Sequence, residues 1–189
     1  MSTNLEIEFK NLLTKAEYEQ LLNFFSLDEQ AAVLQKNIYF DTAKKQLKAQ
    51  RAALRIRIKA NTYELTLKTK VPEGALEINQ KITERDYLCM ISEGFLIKGG
   101  VYDGLVKLGV NPVELQEIAK LTTKRIEFPY ESGTLFLDES RYGSEVDYEV
   151  EYEALDYNRG GKTFRNFLSI HHIPIRPAEP KIRRAEKSK

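Results

Sequence analysis

The chain has 189 residues, and 29 Lys and Arg against 28 Asp and Glu leave a formal net charge of +1. That balance excludes bulk electrostatic capture of nucleic acid or of an anionic membrane, so any basic site must be local and offset by acid elsewhere. Apolar residues at 42% and charged residues at 30% exclude a disordered segment and allow one domain with a substantial core.

The fragment Leu5-Glu6-Ile7-Glu8-Phe9-Lys10 alternates strictly. A strand from about Leu5 to Leu13 places Glu6, Glu8 and Lys10 on one face and Leu5, Ile7 and Phe9 on the other. Thr14 followed by Glu17 predicts a capping box. It opens a helix from Lys15 to Phe25 that carries Tyr18, Leu21, Leu22 and Phe25 at helical spacing. Ala32 to Phe40 reads as a second strand, closed by Asp41-Thr42. Residues 51–60 and 62–70 form a predicted hairpin around Ala60-Asn61. In it Arg55, Arg57 and Lys59 alternate with Leu54, Ile56 and Ile58, and Lys68 and Lys70 follow Leu65 and Leu67. Pro72-Glu73-Gly74 is a turn, and Ala75 to Gln80 a short strand.

From Thr83 the period changes. Tyr87, Leu88 and Ile91, then Val101, Leu105 and Leu108, fall at helical intervals, and Gly94, Gly99-Gly100 and Gly109 divide the stretch into short helices. We read it as a helical insertion at about 83–112 within a single domain spanning 1–189. Strands resume at Leu115–Phe128, Thr134–Glu139 and Ser144–Leu155. In the last of these Glu149, Glu151 and Glu153 alternate with Tyr148, Val150 and Tyr152. Tyr157 to Ile170 is a predicted helix with Phe164, Phe167 and Leu168 along one side. The tail from Pro174 is proline-rich, then basic, with Lys181, Arg183 and Arg184.

About eight strands with short connections predict a mainly β (α+β) fold, either a closed antiparallel barrel or a sandwich. A sandwich would turn the charged faces to water. An eight-stranded closed barrel with helices packed outside turns them inward as a polar tunnel, and we favour it. A charged strand face is commonly just solvated. Here, however, the faces are segregated by sign, and like charges recur at i, i+2, a repulsion that calls for an offset. Arg55 and Arg57 suit bidentate contact with phosphate oxygens. Lys10, Lys68 and Lys181 add compact positive charge. Glu6, Glu8, Asp138, Glu149 and Glu151 offer hard oxygen ligands for Mg²⁺ or Mn²⁺. A divalent metal bridging phosphate and carboxylate reconciles both signs in one cavity, which is phosphoryl-transfer chemistry.

Glu6-x-Glu8-x-Lys10 resembles the signature of the CYTH domain, the triphosphate tunnel metalloenzymes. That family includes class IV adenylyl cyclases, thiamine triphosphatases, inorganic triphosphatases and fungal-type RNA triphosphatases. Arg55-x-Arg57 is similar to its basic strand and Lys68 to the following lysine. Arg125, Asp138 and Glu149-x-Glu151 match the later strands, and Lys181 falls where a C-terminal substrate-binding lysine belongs. The resemblance implies an eight-stranded antiparallel tunnel that binds triphosphate and Mg²⁺ or Mn²⁺.

It also implies roles. Lys10, Arg55, Arg57, Lys68, Lys70, Arg125, Lys181 and Arg183 would bind substrate. Glu6, Glu8, Glu77, Asp138, Glu149 and Glu151 would hold metal, with Glu84 the competitor to Glu77. Lys59 and Lys70 line the tunnel or its mouth, and Glu153 extends the acidic row or faces solvent. Arg183 is preferred to Arg184 because an extended tail would put it on one face with Lys181. Lys10, through Tyr39, would orient or deprotonate the attacking water. A lysine deprotonates water only if its pKa falls, which nearby arginines promote.

Other signals are weaker. Gly160-Gly161-Lys162-Thr163 ends like a P-loop, but Asp156 stands where the first glycine belongs. His171-His172 cannot share a helix face and fits a helix end. Cys89, the sole cysteine, excludes an intrachain disulfide and reads as packing. Tyr148, Tyr152 and Tyr157 read as outer packing rather than a base-stacking platform. The N-terminus lacks an apolar signal region, and no run is long enough to span a bilayer, so the expected setting is cytoplasmic.

The leading expectation is a metal-dependent triphosphatase acting on tripolyphosphate or an organic triphosphate such as thiamine triphosphate. A class IV adenylyl cyclase and a non-catalytic polyphosphate or nucleotide-binding module are the alternatives. The expected partner is a triphosphate-containing small molecule bound by a monomer or homodimer, with no stable nucleic-acid or membrane partner.

Overall fold

Thr14 ends the first strand and starts the first helix in one residue. Its hydroxyl accepts from the Glu17 amide, and the Glu17 carboxylate accepts from the Thr14 amide. The computed structural model describes residues 2–188. Strand β1 (Ser2–Leu13) leads to α1 (Lys15–Phe24), then β2 (Val33–Thr42), the single turn α2 (Gln46–Ala49), β3 (Ala52–Lys59), β4 (Thr62–Val71) and β5 (Gly74–Ile82). Helices α3 (Glu84–Glu93) and α4 (Gly100–Lys107) follow, then β6 (Leu115–Tyr130), β7 (Gly133–Tyr142) and β8 (Glu145–Ala154). Helices α5 (Tyr157–Ile170) and α6 (Lys181–Lys187) complete the chain. The strands form a closed antiparallel barrel in the order β1-β5-β4-β3-β2-β6-β7-β8, the predicted fold class.

The chain divides into two compact units, Met1–Leu5 with Gln35–Leu121, and Glu6–Leu34 with Thr122–Lys189. Each has its own apolar core, and the period-2 alternation explains why. In the first unit Leu54 and Ile56 of β3 and Leu65 and Leu67 of β4 point to one face, where Val101 and Leu105 of α4 and Met90 of α3 cover them. A side chain at Gly104 would meet Leu67 Cδ2 at 2.8 Å, so α4 sits closer to the sheet than an alanine allows. In the second unit Leu135, Leu137, Val150 and Tyr152 lie beneath Tyr18, Leu21 and Leu22 of α1 and Phe164, Phe167 and Leu168 of α5. Covering the apolar faces with helices leaves the charged faces of the same strands on the other side of the sheet.

Gly160 and Gly161 lie inside α5, where they form a contact surface and no phosphate loop. A Cβ at Gly160 would stand 2.4 Å from Ala154 Cβ and 2.8 Å from Phe9 Cε2. Ala154 has no flexible end to move. Overpacking of this kind costs about 1–3 kcal/mol, and alanine's helix propensity returns at most ~1 kcal/mol. Gly160→Ala should therefore lower the urea midpoint by an amount equivalent to about 1–2 kcal/mol. An unchanged or raised midpoint would show that Phe9 swings aside without penalty.

The structure departs from the sequence reading mainly at the tail. Residues 181–187 are helical, not extended. On a helix Lys181 and Arg184, three apart, share a face, whereas Lys181 and Arg183 do not. The preference for Arg183 over Arg184 is thereby reversed.

Candidate functional site

The second unit gathers the acidic row. In the register of β7 and β8, Asp138 lies opposite Glu149. In that of β1 and β8, Lys10 lies opposite Glu151. In that of β6 and β7, Arg125 lies opposite Asp138. Asp138 and Glu149 are fully buried at 0% exposure, and Glu151 is nearly so. Buried carboxylates at this depth require cations, and four residues supply them. Arg125 grips Asp138 with a fork, Nε to Oδ1 at 2.7 Å and Nη2 to Oδ2 at 2.6 Å, and also bonds Glu151. Its guanidinium lies 4.5 Å from the centroid of the Phe136 ring. Lys10 Nζ donates to Glu8 Oε1 at 2.7 Å.

Lys181 is the centre of the group. Its Nζ lies 2.8 Å from Asp138 Oδ2, 2.7 Å from Glu149 Oε1 and 2.5 Å from Glu151 Oε1. Arg184, one turn further along α6, bonds the other Glu149 oxygen and reaches Asp147 Oδ2 at 2.5 Å. The Tyr142 hydroxyl donates to that same Asp147 oxygen.

This geometry sets the protonation states. Burial lowers Lys181, but Asp138, Glu151 and Glu149 reverse that and hold it well above the usual lysine value. Burial also lowers Lys10, and Glu8, Glu151 and Glu149 again win, so Lys10 is raised. The expectation that arginines would depress Lys10 is corrected: its nearest charges are carboxylates, and they hold it as an ammonium. Burial pushes Glu149 up, whereas Glu151, despite burial, is held low by Lys181 and Arg125. The two titrate as a pair.

The first unit carries the basic row. Arg57 Nε donates to Asn37 Oδ1 at 3.0 Å, which fixes its guanidinium on the charged face. Lys68 Nζ lies 3.5 Å from Glu77 Oε1, its partner across β4 and β5. Thr66 and Asn79 pair at 2.7 Å, and Asn79 also reaches Glu77 at 3.4 Å. Tyr39, buried, stands opposite Arg55 in the register of β2 and β3. Arg55 Nε is buried without a hydrogen-bond partner among the described residues. An orphaned guanidinium N–H beside Arg57 and Lys68 suits an oxyanion.

Several assignments are sharpened. Glu84 lies exposed in the first turn of α3 and accepts from the Tyr63 hydroxyl at 3.2 Å, so Glu77 is the carboxylate on the charged face. Lys59 and Lys70 are exposed at strand ends, and Glu153 is exposed on β8. Arg183 pairs with Glu186 within α6 at 3.2 Å. Glu6 is half-buried on β1. His171 ends α5 and packs 4.6 Å from the Phe24 ring and 4.7 Å from Phe167. Cys89 is half-buried on α3. Arg184 was passed over in favour of Arg183, and Asp147 and Asn37 were missed. An Asn opposite an Arg gives no signal in a single sequence, and Arg184 is visible only once the tail is helical.

The donor set fits a hard divalent cation, since three carboxylate oxygens already converge on one positive centre. Among the described residues no group of three or more His, Cys, Asp or Glu side chains stands arranged to hold a metal. The oxygens that would do so are turned to Lys181, Arg125 and Arg184.

The chain as a whole is similar to known proteins. The chain is 42% identical to YjbK of Bacillus subtilis, provisionally named a triphosphatase, over 185 residues covering 97% of this chain and 95% of that protein. A crystal structure from Bacillus halodurans, provisionally described as an adenylate cyclase, superposes with a TM-score of 0.94 at 36% identity, covering 97% and 98% of the two chains. HpAC1 from Hippeastrum, provisionally an adenylyl cyclase and described as revealing a dominant triphosphatase activity, gives 0.76 at 27% identity, with 97% and 96% covered. The CYTH domain profile matches residues 4–185, and the chain belongs to the CYTH domain family.

Proposed function

We propose that this protein is a metal-dependent triphosphatase that hydrolyses inorganic tripolyphosphate or an organic triphosphate such as thiamine triphosphate. The observation that carries the reading is the convergence of Asp138, Glu149 and Glu151 on a single cationic centre. Simple anion binding needs no buried carboxylates, because they oppose the ligand. YjbK and HpAC1 support hydrolysis over binding alone.

In this proposal Asp138, Glu149 and Glu151 hold Mg²⁺ or Mn²⁺, with Glu6, Glu8 and Glu77 as the wider carboxylate set. When bound, the metal supplies charge neutralisation on phosphate and acidifies water. Arg55, Arg57 and Lys68 present donors to phosphate oxygens, with Lys70 at the strand end. Arg125 and Lys181 add charge beside the carboxylates, and Arg183 adds charge from the surface of α6. Lys10, protonated, orients the water or the departing phosphate, and Tyr39 stands opposite Arg55 in the strand register. Among the described residues no helix is long and apolar enough to cross a membrane. The proposal adds a cytoplasmic setting, a monomer or homodimer, and no stable nucleic-acid partner.

The test is product analysis with tripolyphosphate, thiamine triphosphate and nucleoside triphosphates, each with Mg²⁺ or Mn²⁺. Orthophosphate release that requires metal is expected. Calorimetry should show tripolyphosphate binding more tightly with Mg²⁺, since each ligand screens charges that oppose the other. Cyclic nucleotide with pyrophosphate as the main products would make the protein a cyclase. Metal-indifferent binding without turnover would make it a binding module.

A further inference from the structure

Two cations reach the acidic row from α6, and they reach it differently. Lys181 is the first residue of the helix, directly after Pro180. Its ammonium sits at the focus of Asp138, Glu149 and Glu151, at hydrogen-bond distance from one oxygen of each. Its side chain is 11% exposed. Arg184 stands on the outer side of the same carboxylate. It takes Glu149 Oε2, leaving Oε1 to Lys181, and its second amino group holds Asp147, which Tyr142 also braces. Ala185 is buried, and Ser188 lies against Gly143, where an added Cβ would stand 3.0 Å from the Ser188 carbonyl. The end of α6 is thus anchored independently of Lys181.

A divalent metal bound by the oxygens around Lys181 would take the position its ammonium holds. Metal–oxygen distances near 2.1 Å leave no room for a second cation among them. Rotating the lysine stem about its own torsions frees the site without moving the helix, because the four-carbon chain is flexible. Moving Arg184 would strip Glu149 and Asp147 of a buried partner.

We propose that Lys181 is the internal counter-cation of the metal-binding carboxylates and is exchanged for the divalent metal, while Arg184 is a positioning residue that keeps α6 seated on β8 through the exchange. The metal-free acidic row is held together by the lysine. Metal entry expels the ammonium, which is then available to phosphate. Metal and Lys181 compete, whereas phosphate and the displaced Lys181 cooperate. This rests on the reading of Asp138, Glu149 and Glu151 as metal ligands.

Mn²⁺ binding, measured without any phosphate by calorimetry and by loss of the free-ion electron paramagnetic resonance signal, tests both layers. Lys181→Met should bind Mn²⁺ at least about tenfold more tightly than wild type, about 1.4 kcal/mol. Glu151→Gln should bind it at least about tenfold more weakly. Wild-type affinity in Glu151→Gln would sink the metal site itself. Weakened binding in Glu151→Gln with no gain in Lys181→Met would leave the metal site standing and overturn the exchange. Because Lys181→Met removes a buried cation and risks misfolding, the wild-type protein supplies a second readout. Acetylation of Lys181, followed by mass spectrometry, should be slow alone, several-fold faster with Mn²⁺, and slow again with Mn²⁺ plus tripolyphosphate. Labelling indifferent to Mn²⁺ overturns the proposal. In Arg184→Met, labelling should be fast with or without Mn²⁺, and Arg184→Lys should restore the Mn²⁺ dependence. Wild-type labelling behaviour in Arg184→Met would remove its positioning role.

Discussion

Glu151→Gln should lower the turnover number for tripolyphosphate by about 10²-fold or more, the scale for losing a strong electrostatic contact in a transition state. The residue is central to the acidic row: its two oxygens accept from Lys181 and Arg125, and Lys10 lies opposite it. Glutamine keeps the size and removes the charge. Affinity for polyphosphate should survive or rise, because Arg55, Arg57 and Lys68 remain and a repelling carboxylate is gone. Arg57→Ala should show the reverse emphasis, with KM rising first. The pair of variants separates metal chemistry from substrate holding by steady-state kinetics alongside direct binding. Wild-type turnover by Glu151→Gln at limiting Mg²⁺ would reduce the acidic row to a structural ion network.

Phe167→Ala should have a large effect of another kind. Phe167 is fully buried on α5, 5.3 Å from the Tyr130 ring and 4.7 Å from His171, in the core beneath α1 and α5. Truncating a buried phenylalanine costs about 3–5 kcal/mol through lost transfer energy and the cavity left behind. For a chain of this size that shifts Tm by roughly 6–20 °C. It is on the far side of the β7–β8 sheet from Asp138 and Glu149, so turnover at low temperature should be within about twofold of wild type. A melting shift below ~2 °C would show that the helices repack over the gap.

The strands were legible because their code is local. Alternation fixes which face each residue takes, so Arg55, Arg57, Asp138, Glu149 and Glu151 could be placed on charged faces from the sequence and are found there. The capping box at Thr14 and the break at Gly94, which adopts a left-handed φ of 66° at the end of α3, are equally local. What stayed illegible depends on distant partners. α6 is seven residues long, too short to be stable by propensity. It is helical because Lys181 and Arg184 are fastened to strands more than thirty positions earlier. The protonation of Lys10 was misjudged because its carboxylate neighbours, Glu8 on its own strand and Glu151 and Glu149 on β8, outweigh burial.

The order in which the ribosome delivers this chain gives the tail another consequence. β1 is synthesised well before β8, one of its two neighbours in the barrel, with Ile7 opposite Ala154. The segment 35–121, which includes β5, can collapse around its own core before β8 is made, and closing the long β1–β8 loop is slow. Asp138, Glu149 and Glu151 emerge before Lys181 and Arg184, so a nascent chain has its buried carboxylates before their last cations. A chain cut short at Pro180 would retain every strand and both cores, yet Glu149 would lose Lys181 and Arg184, the cations that hold its two oxygens. Lys181 and Arg184 complete the electrostatic balance of the acidic row, and copies lacking them are thereby prone to unfold.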